Sequence, residues 1–254
     1  MIPPPVRGPR KLPLIVAGLA AFAITLITAL PARFIAPVLP SNVTVGMLDG
    51  TLWRGSTDSV VVNQRYLGAL QWQLRPLHLF RGRLALDVDL NRADGQAKAR
   101  LALGFGKRFE ARDLTASLPV AVLAGSLAPS GWSGTVDANL AHLALRPGTV
   151  PEMRGTMELR NLRAPPPDGA AIGSYRLSFD DSSSQDDRLV GQLQDVEGPM
   201  QVTGTVTLTA ERSYVVEGLV APRAGASDAV TNTLRFLGAP DSQGRRPFSL
   251  AGTY

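Results

Sequence analysis

The chain has 254 residues, 44% of them hydrophobic, no cysteine and a formal charge of +5. That length suits one or two domains with a real core, and the absence of cysteine excludes disulfides, thiolate metal sites and cysteine nucleophiles. The charge is largely a tail effect. Arg7, Arg10 and Lys11 precede every acid, and without them 23 basic residues face 21 acidic ones. No basic stripe is interleaved with aromatics, so nucleic acid is not an expected partner.

Leu12–Leu30 is a run of 19 residues without a charge. As a helix it spans about 28 Å, close to the roughly 30 Å hydrocarbon core of a bilayer. Arg7, Arg10 and Lys11 stand before it and only Arg33 follows closely, so the positive-inside bias keeps the N-terminus in the cytoplasm. A cleaved signal peptide has a shorter apolar region and a small-x-small site. Here the exit Ala29-Leu30-Pro31-Ala32-Arg33-Phe34 offers no such pair, and Pro31 ends the helix. The expected organisation is a cytoplasmic tail over 1–11, a transmembrane anchor over 12–32 with ends near Leu12 and Leu30, and a periplasmic β-rich domain over 41–254. That makes a single-pass protein of the cell inner membrane.

Beyond Pro40 the hydrophobic period changes to two. Arg83–Leu90 puts Leu84, Leu86, Val88 and Leu90 on one face and Asp87 and Asp89 on the other, which predicts a half-buried strand. Similar alternation predicts strands at Ala97–Leu103, Thr135–Leu140, Thr156–Leu159, Arg176–Phe179, Gln201–Thr209, Tyr214–Val220 and Phe248–Tyr254. Gly-Thr opens stretches at Gly50, Gly134, Gly155, Gly204 and Gly252, where glycine permits a bend before a β-branched residue. This pattern argues for sheet rather than for a formal repeat. Two short helices are expected. Ser117–Ala124 has a capping serine and an early proline, and Ser227–Leu237 has Ser227 as cap, Asp228 in its first turn and Gly238 as stop. Ala164–Gly169, with Pro165, Pro166 and Pro167, reads as a connecting loop at the place where a two-part domain would divide. Asp180–Asp187 reads as a solvated turn and lacks the alternation of a calcium loop. The fold class is therefore mainly β: one N-terminal transmembrane helix, then a curved antiparallel sheet with two short helices.

Chemistry is sparse. His78 and His142 stand apart with apolar neighbours and no metal-ligand spacing. Gly104-Phe105-Gly106-Lys107 is not a phosphate loop, and Ser126 and Ser130 lie in a turn without a nucleophile-elbow pattern. No catalytic residue, metal site or cofactor is expected. The segment that stands out is Gly50-Thr51-Leu52-Trp53-Arg54-Gly55, followed by Leu70-Gln71-Trp72-Gln73-Leu74-Arg75-Pro76. Trp53 and Trp72 either fill the sheet core or, part-exposed, dock a partner, and Trp132 carries the same ambiguity.

These residues resemble the type II secretion system protein N family, also called general secretory pathway protein N. The resemblance rests on the anchor, on Gly50, Thr51, Leu52, Trp53 and Gly55, and on Trp72 and Pro76. It also rests on the closing pattern Leu234-Arg235-Phe236-Leu237-Gly238, Gly244 and Phe248–Gly252. It implies a non-enzymatic inner-membrane accessory of the secretion machine, whose periplasmic domain contacts the inner-membrane platform or the outer-membrane secretin. It assigns no binding role to individual residues. A second reading is a tethered periplasmic carrier of lipid or another hydrophobic ligand, held in an open β groove.

Overall fold

The computed structural model describes residues 28–76, 82–104, 106, 108–123, 131–167, 169–180, 184–185, 188–211 and 213–253, with Val16, Gly18, Phe22 and Thr25 before them. Most of the expected anchor, the tail bearing Arg7, Arg10 and Lys11, and His78, Ser126 and Ser130 lie outside this set. Among the described residues no helix is long and apolar enough to cross a membrane.

Among the described residues fifteen strands form one antiparallel sheet. They are β1 (Val43–Val45), β2 (Leu48–Gly50), β3 (Arg54–Val62), β4 (Arg65–Arg75), β5 (Arg83–Arg92), β6 (Gly95–Gly104), β7 (Arg108–Pro119), β8 (Ser133–Leu145), β9 (Glu152–Arg163), β10 (Ala171–Phe179), β11 (Ser184–Gln185), β12 (Arg188–Glu197), β13 (Met200–Thr209), β14 (Ser213–Pro222) and β15 (Arg246–Thr253). From β3 to β10 each strand pairs with the next in sequence, and the meander continues through β12 to β15. The two-residue β11 pairs only with β12. Such a ladder needs nothing but short reversals, which the alternating runs and intervening turns supply. The Ala164–Gly169 loop joins β9 and β10, which pair directly, so the sheet is continuous across it.

Antiparallel partners share a face, so the register sorts the side chains. One face carries Leu70, Trp72 and Leu74 of β4 beside Leu86, Val88 and Leu90 of β5. It continues through Leu101 and Ala111 to Leu143 and Met153, and on through Met157, Leu177 and Leu193. The other face is charged. Its ion pairs include Arg75–Asp87 at 2.8 Å, Lys98–Asp89 at 2.9 Å, Arg112–Glu110 at 2.6 Å and Arg176–Glu158 at 3.0 Å. Each exposed pair is worth only about 0–1 kcal/mol, so this ladder sets solubility and register rather than stability.

The apolar face is paved more than it is stacked. Trp72 lies over Gly55, its partner across β3 and β4, and a Cβ there would stand 2.4 Å from Cζ2 of the ring. Phe179 covers Gly191 and Tyr214 covers Gly252 in the same way. Rings placed over glycines cover backbone that would otherwise be bare. Consistent with this, Leu189 is the one large side chain among the described residues with under 2% exposure. Bends come from bulges. Gly134 and Gly155, both of the Gly-Thr series, hold positive φ where the β8–β9 register shifts, and Asp113 does so beside the β6–β7 shift.

Among the described residues from Ala32 onward, three short helical segments accompany the sheet. Asp228–Leu234 forms with the expected cap, Ser227 Oγ accepting from the Val230 backbone N–H at 3.4 Å, but it ends three residues before the expected Leu237. Its Leu234 closes a cluster with Val202 and Val220, flanked by Tyr175, Leu193 and Phe248. The expectation for Ser117–Ala124 needs correction. Ser117, Leu118 and Pro119 end β7, paired with Asp137, Val136 and Thr135, and only Val120–Leu123 is helical. A 3-10 segment at Ala32–Val38 was not foreseen.

Candidate interaction surfaces

The tryptophan motif builds the corner where the chain enters the sheet. Gly50 (φ +84°) turns β2 into a tight reversal closed by Thr51. The Thr51 backbone N–H donates to the Arg54 carbonyl at 2.8 Å, and the Arg54 N–H donates to Thr51 Oγ1 at 3.2 Å. Leu52 works in both directions. Its N–H donates to the Leu30 carbonyl at 2.8 Å, and its carbonyl accepts from Trp72 Nε1 at 3.1 Å. The Trp53 carbonyl accepts from the Leu74 N–H at 2.7 Å, and Pro31 bridges Thr51. Gly50, Thr51, Leu52, Trp53, Gly55 and Trp72 thus form one hydrogen-bonded corner that ties Leu30 to the sheet. Pro76 stands just beyond β4, exposed and outside this network.

The two readings of the tryptophans divide by residue. Trp72 is 8% exposed and serves the core, whereas Trp53 and Trp132 are half-buried. His142 is not in an apolar setting. It stands on the charged face, with Nδ1 3.8 Å from Glu110 and Nε2 3.7 Å from Glu152. Among the described residues no group of His, Cys, Asp or Glu is arranged to hold a metal ion.

The sheet's two edges differ. At the N-terminal edge β1 and β2 are three residues each, interrupted at Gly46 and Met47, with Ala32–Val38 packed alongside β2 and β3. At the other edge β15 runs eight residues and, among the described residues, pairs only with β14. After Pro247 it carries no charge or proline, and Leu250 is 58% exposed. Natural sheets blunt an edge with such devices; the outer half of β15 lacks them.

A polar groove crosses the ends of β5 to β9 on the charged face, with Ala102, Gly104 and Ala144 as floor and Arg83, Arg108, Arg112 and Arg146 around it. Glu110 pairs with Arg112 and Glu152 pairs with Arg146 at 3.0 Å. Sequence reasoning missed these arginines because they come from three runs: Arg83 opens β5, Arg108 and Arg112 belong to β7, and Arg146 follows β8. Only the register places Arg83 opposite Gly104 and Gly104 opposite Arg108.

Near the helix Asp228–Leu234, Asp195 is a carboxylate on the apolar side, its side chain 7% exposed. It accepts from the Val202 N–H at 2.8 Å and pairs with Arg223. Burial, with Asp195 adding to it, pushes the neighbouring Tyr175 hydroxyl up to about 12. It therefore stays protonated and donates to the Ile172 carbonyl at 2.8 Å.

Comparison with known proteins follows the same outline. A protein named type II secretion system protein N from Aeromonas hydrophila is 26% identical over 244 residues, covering 92% of this chain and 95% of its own. One of the same name from Vibrio cholerae serotype O1 is 25% identical over 238 residues, covering 90% and 92%. No solved structure matches. The family described as type II secretion system (T2SS), protein N, matches residues 41–249, from just before β1 into β15, so the chain belongs to that family.

Proposed function

We propose that the protein is a non-enzymatic accessory of type II secretion, anchored in the inner membrane by Leu12–Leu30, with its sheet in the periplasm. Other secretion subunits, of the inner-membrane platform or the secretin, bind at the edge of β15. The observation that carries this reading is the asymmetry of the edges. The N-terminal edge is short, interrupted and flanked, whereas among the described residues β15 has no strand on its outer side and after Pro247 carries no charge or proline. A partner strand added there would continue both the ladder and the apolar face.

The test is complementation of a deletion strain. Loss of the gene is expected to lower secretion, and the wild-type chain to restore it. Leu250→Lys with Ala251→Lys places two charges on exposed positions, so stability changes by no more than about 0.5 kcal/mol each. That variant should accumulate normally yet fail to restore secretion. Unchanged secretion on deletion contradicts the accessory role, and full rescue by the double variant contradicts the use of the edge.

One observation favours the second reading, a tethered carrier of lipid. Among the described helical segments, Asp228–Leu234 packs on the apolar face over Val202 and Val220, while Leu103 and Leu145 on that face remain 44% and 40% exposed. Native mass spectrometry of the gently purified chain separates the readings, since a carrier retains lipid and an edge adaptor does not.

A further inference from the structure

The strand directions put the arginine-lined groove and the point where Leu30 meets the sheet on the same rim. Leu30 bonds Leu52 just before β3 begins at Arg54, which is opposite Gln73 near the end of β4. On that rim β5 begins at Arg83, β6 ends at Gly104, β7 begins at Arg108 and β8 ends next to Arg146. At about 4.8 Å per strand these arginines lie roughly 10–24 Å from the corner held by Leu30. The side chains of Arg83, Arg108 and Arg146 are exposed, and the groove's two acids, Glu110 and Glu152, already have arginine partners in Arg112 and Arg146. Arg83 and Arg108 therefore bring uncompensated positive charge to a small-residue floor.

We infer that this rim docks on an anionic membrane surface, with Arg83 and Arg108 against lipid phosphates, so that the strands stand away from the bilayer. The inference rests on the proposed anchor. Charge complementarity and continuity with the anchor's exit select lipid headgroups as the occupant over an acidic protein segment. The opposite rim, at the β5–β6 turn around Ala93, then stands about 30 Å away, one ten-residue strand off.

The absence of cysteine allows a single fluorophore at Thr149→Cys, in the exposed turn after Arg146, or at Ala93→Cys on the opposite rim. The full chain is reconstituted into vesicles of phosphatidylcholine, alone or with phosphatidylglycerol, each containing nitroxide-labelled headgroups. Flotation first checks the anchor; a chain that does not float with vesicles overturns both the anchor and this inference. With the anchor in place, Thr149→Cys should be quenched in anionic vesicles and much less in neutral ones or at raised salt. Ala93→Cys should stay unquenched in all. Arg83→Gln with Arg108→Gln should lower the docked-to-undocked ratio on the order of thirtyfold, at about 1 kcal/mol for each arginine near an anionic surface. Quenching at Thr149→Cys that is absent, indifferent to lipid charge, or unaltered by the double variant overturns the docking and leaves the accessory role standing.

Discussion

Trp72→Ala is expected to cost about 3–5 kcal/mol, the usual loss for a large buried aromatic. The ring is 8% exposed, covers Gly55 and donates to the Leu52 carbonyl. Removing it opens a cavity, bares the backbone of β3 and frees the corner that holds Leu30. For a chain of this size each kcal/mol moves the melting point by about 2–4 °C, so thermal unfolding should show a fall of roughly 6–20 °C. Gly55→Val attacks the same contact from below. Its Cβ would stand 2.4 Å from the ring and 2.8 Å from the Asp49 carbonyl. Overpacking of that kind costs about 1–3 kcal/mol. A Trp72→Ala protein that melts with the wild type would mean that the corner is not part of the cooperative core.

Asp195→Ala is expected to cost about 2–4 kcal/mol, read as a shift in the urea midpoint. The carboxylate is nearly buried, and its loss leaves the part-buried Val202 N–H without its acceptor and Arg223 without its counter-ion. Glu158→Gln is the natural comparison. It breaks the Arg176–Glu158 pair, whose side chains are 48% and 24% exposed, and should cost less than about 1 kcal/mol. Equal losses from the two substitutions would show that burial does not separate these pairs.

The sheet was legible because it is one-sided. Where one face is apolar and the other charged or polar, period two appears at full contrast, as in Arg83–Leu90 and Gln201–Thr209. β12 escaped notice because Gly191, which belongs to the apolar face, has no side chain to register; Phe179 from β10 covers it instead. In β3, Gly55 and Thr57 weaken the pattern similarly. The Ser117–Ala124 expectation weighed a local capping signal, but cross-strand pairing to β8 outweighs it up to Pro119. His142 shows why neighbours in sequence mislead within a strand: Leu143 turns to the opposite face, while Glu110 and Glu152 come from adjoining strands. Of the interaction surfaces, the tryptophan corner was visible as a motif. The β15 edge and the arginine groove arise from strand order and register, which no single run of residues encodes.

The most direct test of the account is site-specific photo-crosslinking in intact cells, with probes at Ala251 on the β15 edge and Leu103 on the apolar face, followed by identification of the adducts. The account predicts adducts between Ala251 and other type II secretion subunits. Normal expression with no protein adduct at Ala251, and lipid adducts at Leu103, would contradict it and favour the tethered carrier.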